Sequence, residues 1–191
     1  TTQSPELRAI RQFNLELVFS DHMSYCTPPC RDGCPTHIKI PGFLERIAER
    51  DYAGGMRVLR EDLPFPGILG RVCPRPCEGP CRRQFIDDPI TICQLHRFMA
   101  DETRAGELEG ELLLPSEPKP DSGKRIAIVG AGPAGLAAAF YARLEGHAVK
   151  VFEAQPKPCG MLRYGIPCYR LPRDILEEEI NILWRMGVEL E

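Results

Sequence analysis

The sequence predicts a small, cysteine-rich α-helical domain joined by a linker to the first part of an α/β, Rossmann-like domain. Two observations predict this arrangement. The first hundred residues hold two triads of cysteines between short amphipathic segments. From Lys124 onward, strand-like apolar runs alternate with helical runs, and a glycine-rich turn follows the first of them. We therefore place the helical domain at residues 1–105, the linker at 106–123 and the α/β domain at 124–191.

Helices with one apolar face are expected throughout the first domain. Ser4 followed by Pro5 is typical of a helix start, and apolar residues at helical spacing carry this helix toward Phe19. Further short helices are expected at residues 41–50, 51–60 and 89–104. Two loops rich in cysteine and proline, residues 25–41 and 63–83, separate them. Because a core of this size is thin, we expect metal sites to contribute to its stability.

The composition limits the cellular compartment and the classes of binding partner that we expect. Nine cysteines in 191 residues is a high, odd number, and no export signal opens the chain, so metal ligation is favoured over disulfides. The 24 basic and 27 acidic residues are mixed along the sequence. We therefore expect no positive electrostatic field strong enough to attract nucleic acid or anionic lipid. The longest uncharged run, residues 126–142, contains the glycines of a nucleotide-binding turn and is not expected to span a membrane. We expect a cytoplasmic protein.

The two cysteine triads repeat each other at a constant interval. Their members are Cys26, Cys30 and Cys34, then Cys73, Cys77 and Cys81. Matching members lie 47 positions apart, which indicates a pseudo-duplicated loop that gathers thiolates twice. Cys34 and Cys73 each precede proline, as in bacterial ferredoxin loops, where that cysteine ligates the other cluster. The pattern predicts two interleaved 4Fe-4S clusters.

Zinc is the main alternative for these thiolates. Structural zinc sites usually begin with two cysteines separated by two residues, a spacing that occurs nowhere in this chain. Arginines beside the second triad could offset the negative charge of a cluster, or could simply form a solvated basic loop. They are Arg71, Arg75, Arg82 and Arg83.

The second domain opens with a dinucleotide-binding pattern. The turn runs Gly130, Ala131, Gly132, Pro133, Ala134, Gly135, after a strand expected at 125–129 and before a helix expected at 136–145. The first glycine permits the tight turn, the second lets the backbone approach a pyrophosphate, and the third lets helix and strand pack closely. A second strand is expected at 148–152. Glu153 stands at its end, where a carboxylate accepts hydrogen bonds from ribose hydroxyls and repels a 2′-phosphate. The turn is expected to hold FAD or NAD and not NADP.

Several segments together resemble a known family. They are residues 26–35, residues 70–81, the glycine turn and residues 161–167. In these the chain resembles the glutamate synthase small subunit and the N-terminal part of dihydropyrimidine dehydrogenase. The resemblance implies a helical domain with two 4Fe-4S clusters docked onto an FAD domain, with an NADPH domain inserted further along. In such proteins a hydride reaches FAD, and electrons leave singly through the clusters to a redox partner protein or subunit.

The resemblance also implies roles for individual residues. Cys26, Cys30 and Cys81 would hold one cluster, and Cys34, Cys73 and Cys77 the other. The FAD site would be lined by Gly130, Gly132, Pro133, Ala134, Gly135, Glu153, Gly160, Leu162 and Arg163. Two departures stand out. The family often has a further cysteine before the first triad, where this chain has His22, Met23 and Ser24, and it usually has glycine in place of Cys159.

Six cysteines supply only three thiolates to each cluster, so two further ligands are expected. Cys93 and His96 lie three apart, on one face of a helix. The resemblance favours His96, which occupies the place of a glutamine ligand in dihydropyrimidine dehydrogenase, while Cys93 remains the chemical rival because thiolate is the commoner ligand. For the other cluster, His22 continues the spacing of the first triad, and its alternative role is local packing.

The α/β pattern ends with a helix expected at 173–186 and a strand at 188–190. We expect the chain to be the N-terminal piece of a longer enzyme whose remaining FAD and NAD(P)H domains complete the sheet and carry the nicotinamide site. No residue is assigned to nucleophilic or hydrolytic catalysis, because the chemistry would belong to the cofactors. Two other functions stay open: an electron-transfer module without its own flavin, and a zinc-stapled interaction domain.

Overall fold

The computed structural model describes residues 4–21, 26–105 and 112–191, with only the backbone of Ala105. The first part of the chain is helical. Its elements are α1 (Pro5–Ser20), α2 (Pro29–Asp32), α3 (Ile40–Ala48), α4 (Tyr52–Arg60), α5 (Pro66–Val72), a 3₁₀ turn (Arg82–Phe85) and α6 (Ile92–Ala105).

Four of these helices enclose the core of the first domain. Helices α3 to α6 pack on one another, and Phe43, Met56, Leu59 and Met99 are fully buried between them. Burial of these side chains is the main apolar contribution to the stability of this small domain. The longest helix, α1, adds nothing to it: Ser4 caps its start by accepting a hydrogen bond from the Leu7 N–H, and no residue of α1 is buried.

The second part of the chain has α/β architecture. Its elements are β1 (Arg125–Val129), α7 (Pro133–Leu144), β2 (Ala148–Phe152), α8 (Met161–Tyr164), α9 (Arg173–Arg185) and β3 (Glu189–Leu190). The strands form a parallel sheet in the order β1-β2-β3, with Arg125 opposite Ala148 and Lys150 opposite Glu189. Helices α7 and α9 pack against one face of the sheet, where Val151 is fully buried.

Helix α5 joins the two parts. Its residue Ile68, together with the preceding Phe65, belongs to the apolar core of the α/β part, against Phe140 and helix α9. The same helix packs along α6 of the first part. Because α5 ends directly before Cys73, one short element links the second cysteine triad to the α/β core.

The predicted fold class is the observed one, with small shifts at the ends of elements. Strands β1 and β2 have the expected bounds, and the helices expected at 41–50, 51–60 and 89–104 appear as α3, α4 and α6. Both segments that were expected to be loops contain a short helix: 25–41 contains α2, and 63–83 contains α5. The second correction is explained by the contacts of Glu179 described below. The domain boundaries stay an interpretation of the sequence. Among the described residues, no helix has the length and apolarity needed to cross a membrane.

Candidate cofactor sites

The first group of cysteines surrounds an open cavity. Cys26, Cys30 and Cys81 line it together with Arg82 and Ile90. Cys30 lies on α2, and Cys81 stands directly before the 3₁₀ turn. Burial raises the pKa of the Cys30 thiol, and the nearby Cys81 raises it further. The fold thus brings together two cysteines of the first loop and one of the second.

The second group combines the remaining cysteines of the two loops. Cys73 is the C-cap of α5, and Cys77 is buried in the turn that follows. Burial raises the pKa of Cys77 to about 12, with additional effects of the neighbouring Cys34 and Cys73 thiolates. A bound cation would reverse this shift by favouring the thiolate. The structure therefore gathers the same two sets of three cysteines that the resemblance implies.

In the described part of the chain, no three side chains of Cys, His, Asp or Glu are arranged to hold a single metal ion. A cubane cluster has four iron corners and takes each protein ligand at a different one, so it does not require three ligands around one ion.

Cys93 and His96 are both buried, Cys93 close to Cys73 of the second group and His96 beside Pro66 at the start of α5. The Cys93 thiol is directed at the carbonyl oxygen of Gly70, 3.6 Å away. Burial raises the pKa of this thiol, and the charge of the nearby Cys73 raises it further. His96 is 3% exposed, and its Nδ1 lies 3.3 Å from the Pro66 carbonyl oxygen. Burial lowers the pKa of His96 to about 4, so the ring is neutral, as a metal ligand must be. His22 lies outside the described residues.

The four arginines near the second triad have different surroundings. Arg71 forms an ion pair with Asp101, 2.7 Å away, and Arg83 forms one with Asp87. Arg82 lines the cavity of the first cysteine group. Arg75 donates its backbone N–H to the Cys73 sulfur at 3.3 Å. Arg75 and Arg82 therefore contact the cysteine sites, and so does Arg83, which also lines the cavity of the first group.

The glycine turn has the geometry of a dinucleotide site. Gly130 has φ +96°, a conformation that favours glycine, and its N–H donates to the Phe152 carbonyl oxygen at 2.7 Å. Gly132 caps α7, and Pro133 occupies its first turn. A Cβ at Gly132 would meet nothing within 4 Å, whereas one at Gly135 would lie 2.0 Å from the Gly130 carbonyl oxygen. Gly135 is therefore packed tightly against Gly130, whereas the space beside Gly132 is open.

The Glu153 side chain is hydrogen-bonded to this turn. Its Oε2 accepts a hydrogen bond from the Ala131 N–H at 2.8 Å, and its Oε1 accepts one from the Gln155 N–H at 2.9 Å. These donors, Gln155 first, lower the pKa of Glu153. Each carboxylate oxygen still has a lone pair for a further donor. The carboxylate is thus oriented beside the turn and able to accept hydrogen bonds from ribose hydroxyls.

The loop around α8 lies against the turn on the other side. A Cβ at Gly160 would lie 3.2 Å from the Gly132 Cα, and Leu162 packs on the edge of the α/β core. The Cys159 N–H donates to the Ala131 carbonyl oxygen at 2.7 Å. Cys159 has φ +92°, a backbone conformation that favours glycine. Buried Arg163 donates to the Pro158 carbonyl oxygen at 2.7 Å and pairs with Glu177.

Two supporting residues were not predicted from the sequence. Arg173 donates to the carbonyl oxygens of Leu162, Arg163 and Ile166 and so fixes the loop beside the turn. Glu179 accepts from the Gly67 N–H at 2.9 Å and lies 3.5 Å from Arg60. No local pattern marks them, because an arginine and a glutamate on an amphipathic helix are usually solvated.

Comparison with known proteins shows what each part of the chain is similar to. Residues 20–108 match the family described as dihydropyrimidine dehydrogenase domain II, 4Fe-4S cluster, and residues 128–185 match an NAD(P)-binding Rossmann-like domain. The chain is 44% identical over 166 residues to NADPH-Fe(3+) oxidoreductase subunit beta of Geobacter sulfurreducens, a match that covers 86% of this chain and 24% of the relative.

Two further relatives bear the names that the sequence motifs suggested. The chain is 36% identical to the glutamate synthase [NADPH] small chain of Bacillus subtilis, covering 82% of this chain and 31% of the relative. It is 35% identical to the NAD-dependent dihydropyrimidine dehydrogenase subunit PreT of Salmonella typhimurium, covering 85% and 39%. The predicted resemblance is confirmed. A 4Fe-4S domain is followed by a Rossmann-like domain, and the chain spans well under half the length of these relatives.

Proposed function

We propose that this chain carries electrons between a nicotinamide-reduced FAD and a partner acceptor through two 4Fe-4S clusters, as part of an NAD(P)H-dependent oxidoreductase. One observation carries the proposal. The cysteines form two groups, each drawing on both loops, on a helical domain that is joined through α5 to a dinucleotide-binding fold. The relatives are named as oxidoreductase subunits, which supports the reaction class.

The ligands proposed for one cluster are Cys26, Cys30 and Cys81, and those for the other are Cys34, Cys73 and Cys77. His96 is proposed as the fourth ligand of the second cluster, and His22 as that of the first. The lowered pKa of His96 and the contact of its Nδ1 with Pro66 support this role, because a ligating histidine usually gives its other ring nitrogen to a carbonyl.

FAD is proposed as the dinucleotide at the glycine turn. The open space at Gly132 suits a close approach of pyrophosphate, and the N-terminus of α7 provides backbone donors and a positive dipole end. Glu153 suits an unphosphorylated ribose. When bound, the flavin accepts two electrons as a hydride and releases them singly. The chain's own residues orient it: Arg173 holds the α8 loop, and Gly160 lies against Gly132.

The surroundings of the two groups support one direction of electron transfer. Cys73 directly follows α5, which packs into the α/β core, whereas Cys26 is exposed. Phe85 and Ile86, just after Cys81, are more than 80% exposed. We propose that electrons enter at the second cluster and leave from the first, where a redox partner subunit contacts Phe85 and Ile86. The remaining FAD and NAD(P)H domains are proposed to adjoin β1, whose Val129 is 91% exposed.

Analysis of the full-length protein, purified without oxygen, tests the proposal. We expect about eight iron and eight sulfide per chain, from the two cubane clusters, together with one released FAD. Zinc in place of iron would show a zinc-stapled domain. Iron and sulfide without flavin would show an electron-transfer module that lacks its own flavin.

A variant of Glu153 tests the flavin assignment separately. Glu153→Ala should lower the amount of FAD retained after gel filtration while leaving the iron content unchanged. Glu145→Ala is the matched control, because Glu145 is an exposed glutamate at the end of α7 whose described contact is with Lys119. Equal flavin retention in both variants would refute the role of Glu153.

A further inference from the structure

The two cysteine loops differ at one position that matters for a bound cluster. Arg75 follows Cys73 by two residues, and the 47-residue repeat places Pro28 at the same position after Cys26. The Arg75 N–H donates to the Cys73 sulfur at 3.3 Å. Proline has no N–H, so Pro28 offers no such donor in the first loop.

The backbone at Arg75 is held in an unusual conformation. Its φ is +64°, in the left-handed region that a residue with a Cβ adopts at an energetic cost. Strain of this kind is retained where the surrounding structure enforces it, and it clusters at functional sites. Here the conformation directs the N–H to sulfur, and the Arg75 carbonyl oxygen accepts from the Glu78 N–H at 3.1 Å to close the turn.

Two further groups beside the same cysteine set favour negative charge, whereas the nearby Glu78 carboxylate opposes it. The Arg75 guanidinium interacts with Cys93, and Cys93 lies close enough to Cys73 for their charges to interact. The Thr36 hydroxyl lies 3.5 Å from the Cys34 sulfur and can donate to it. Hydrogen bonds to cluster sulfurs and nearby positive charge stabilise the reduced, more negative state of a cluster and raise its reduction potential.

We propose that Arg75, assisted by Thr36, raises the reduction potential of the cluster held by Cys34, Cys73 and Cys77, which makes this cluster a better acceptor for electrons that enter from the flavin. Arg75 is a positioning residue, since it acts on the cluster through Cys73. This inference rests on the proposed function, because it requires both clusters. It explains why a repeated loop carries arginine in one copy and proline in the other.

The test is a potentiometric titration of the full-length protein, followed by electron paramagnetic resonance. Arg75→Gln should make one cluster harder to reduce by two- to tenfold in its equilibrium constant, where tenfold is 59 mV for one electron. The other cluster should not change, and Arg75→Lys should restore most of the loss. Arg82→Gln is the control, because Arg82 borders the other cysteine group.

Two further variants separate the backbone donor from the charge. Arg75→Gly and Arg75→Ala both lack the guanidinium, but only glycine adopts the left-handed backbone freely. We expect a lower potential in the alanine variant than in the glycine variant. Thr36→Val should lower the potential of the same cluster without any change at Arg75.

The outcomes distinguish this inference from the proposed function. Wild-type protein without two clusters would overturn both. Two intact clusters whose potentials are unchanged in Arg75→Gln, or shifted equally, would overturn only the role of Arg75. If Arg75→Gln loses iron, the titrations of Arg75→Gly and Thr36→Val decide, because both should lower the potential of the same cluster: wild-type potentials in both variants would refute the proposal.

Discussion

At the scale of single residues, the glycine turn contains one glycine required by the fold and one that faces open space. A Cβ at Gly135 would lie 2.0 Å from the Gly130 carbonyl oxygen, so Gly135→Ala must separate α7 from β1. A Cβ at Gly132 meets nothing within 4 Å. Gly132→Ala should therefore keep the unfolding temperature of the flavin-free protein but abolish flavin binding, and Gly135→Ala should lower both. Full flavin content in Gly132→Ala would place the dinucleotide elsewhere.

The fourth ligand of the second cluster is also decided by single residues. Imidazole in place of thiolate removes one negative charge and should raise the reduction potential. We expect His96→Ala to change the potential or occupancy of one cluster only, whereas Cys93→Ala leaves iron and sulfide content unchanged. Because His96 is buried, His96→Gln serves as a control that keeps a side chain able to ligate. The opposite pattern, with loss of iron in Cys93→Ala alone, would assign the ligand to Cys93.

At the scale of elements, the sequence predicted those whose determinants are local. Strands β1 and β2 have β-branched residues and adjacent turn signals, and both have the expected bounds. The short helix α5 was missed because its determinants are remote. It has seven residues, two of them glycine, and the backbone N–H groups at its start donate to Glu179, 112 positions from Gly67. Packing of Ile68 in a second domain completes its stability.

Prediction of the cysteine sites from local sequence was limited in the same way. Local spacing indicated thiolate sites, and the cysteine before proline suggested exchange between loops. The assignment of Cys34 to the site of Cys73 and Cys77 depended on the family resemblance, because loop packing across 47 residues is not encoded in the spacing. Similarly, apolar residues at helical spacing predicted α1, but nothing in that pattern shows that Ile10, Phe13 and Leu17 are more than half exposed.

The contact between α5 and α6 gives a prediction at this scale. A Cβ at Gly70 would lie 2.6 Å from the Arg97 Cβ and 2.8 Å from its Cα, so Gly70→Ala must move the two helices apart. Overpacking of this kind costs about 1–3 kcal/mol, which exceeds the gain of about 0.5–1 kcal/mol from removing a helical glycine. Chemical denaturation should show the loss. Gly79→Ala, where a Cβ would approach nothing closer than 3.8 Å, is the control; equal stability of both variants would contradict the close packing.

At the scale of the whole molecule, a buried polar contact fixes the helical domain to the α/β domain. Arg60 of α4 donates to the Leu112 carbonyl oxygen at 2.7 Å and pairs with Glu179 of α9, and the side chains of both residues are about nine-tenths buried. Burial raises the pKa of Glu179, while Arg60 and the N–H groups of Gly67 and Ile68 oppose this effect. These donors favour the ionised carboxylate, and through Gly67 the contact determines the position of α5 and hence of Cys73.

Glu179 should therefore affect both stability and electron transfer between the domains. Glu179→Ala leaves a buried arginine without its partner, which costs about 3–5 kcal/mol in comparable buried pairs. Glu179→Gln keeps an acceptor for the Gly67 N–H and should cost less. In the full-length enzyme we expect Glu179→Ala to retain iron and flavin at low temperature but to slow reduction of the clusters after rapid mixing with NAD(P)H, while flavin reduction is unchanged. Glu178→Ala is the control, because Glu178 is half exposed and 3.6 Å from Arg104. Wild-type stability and an unchanged rate of cluster reduction in Glu179→Ala would show that the domains are positioned by apolar packing of Phe65 and Ile68 alone.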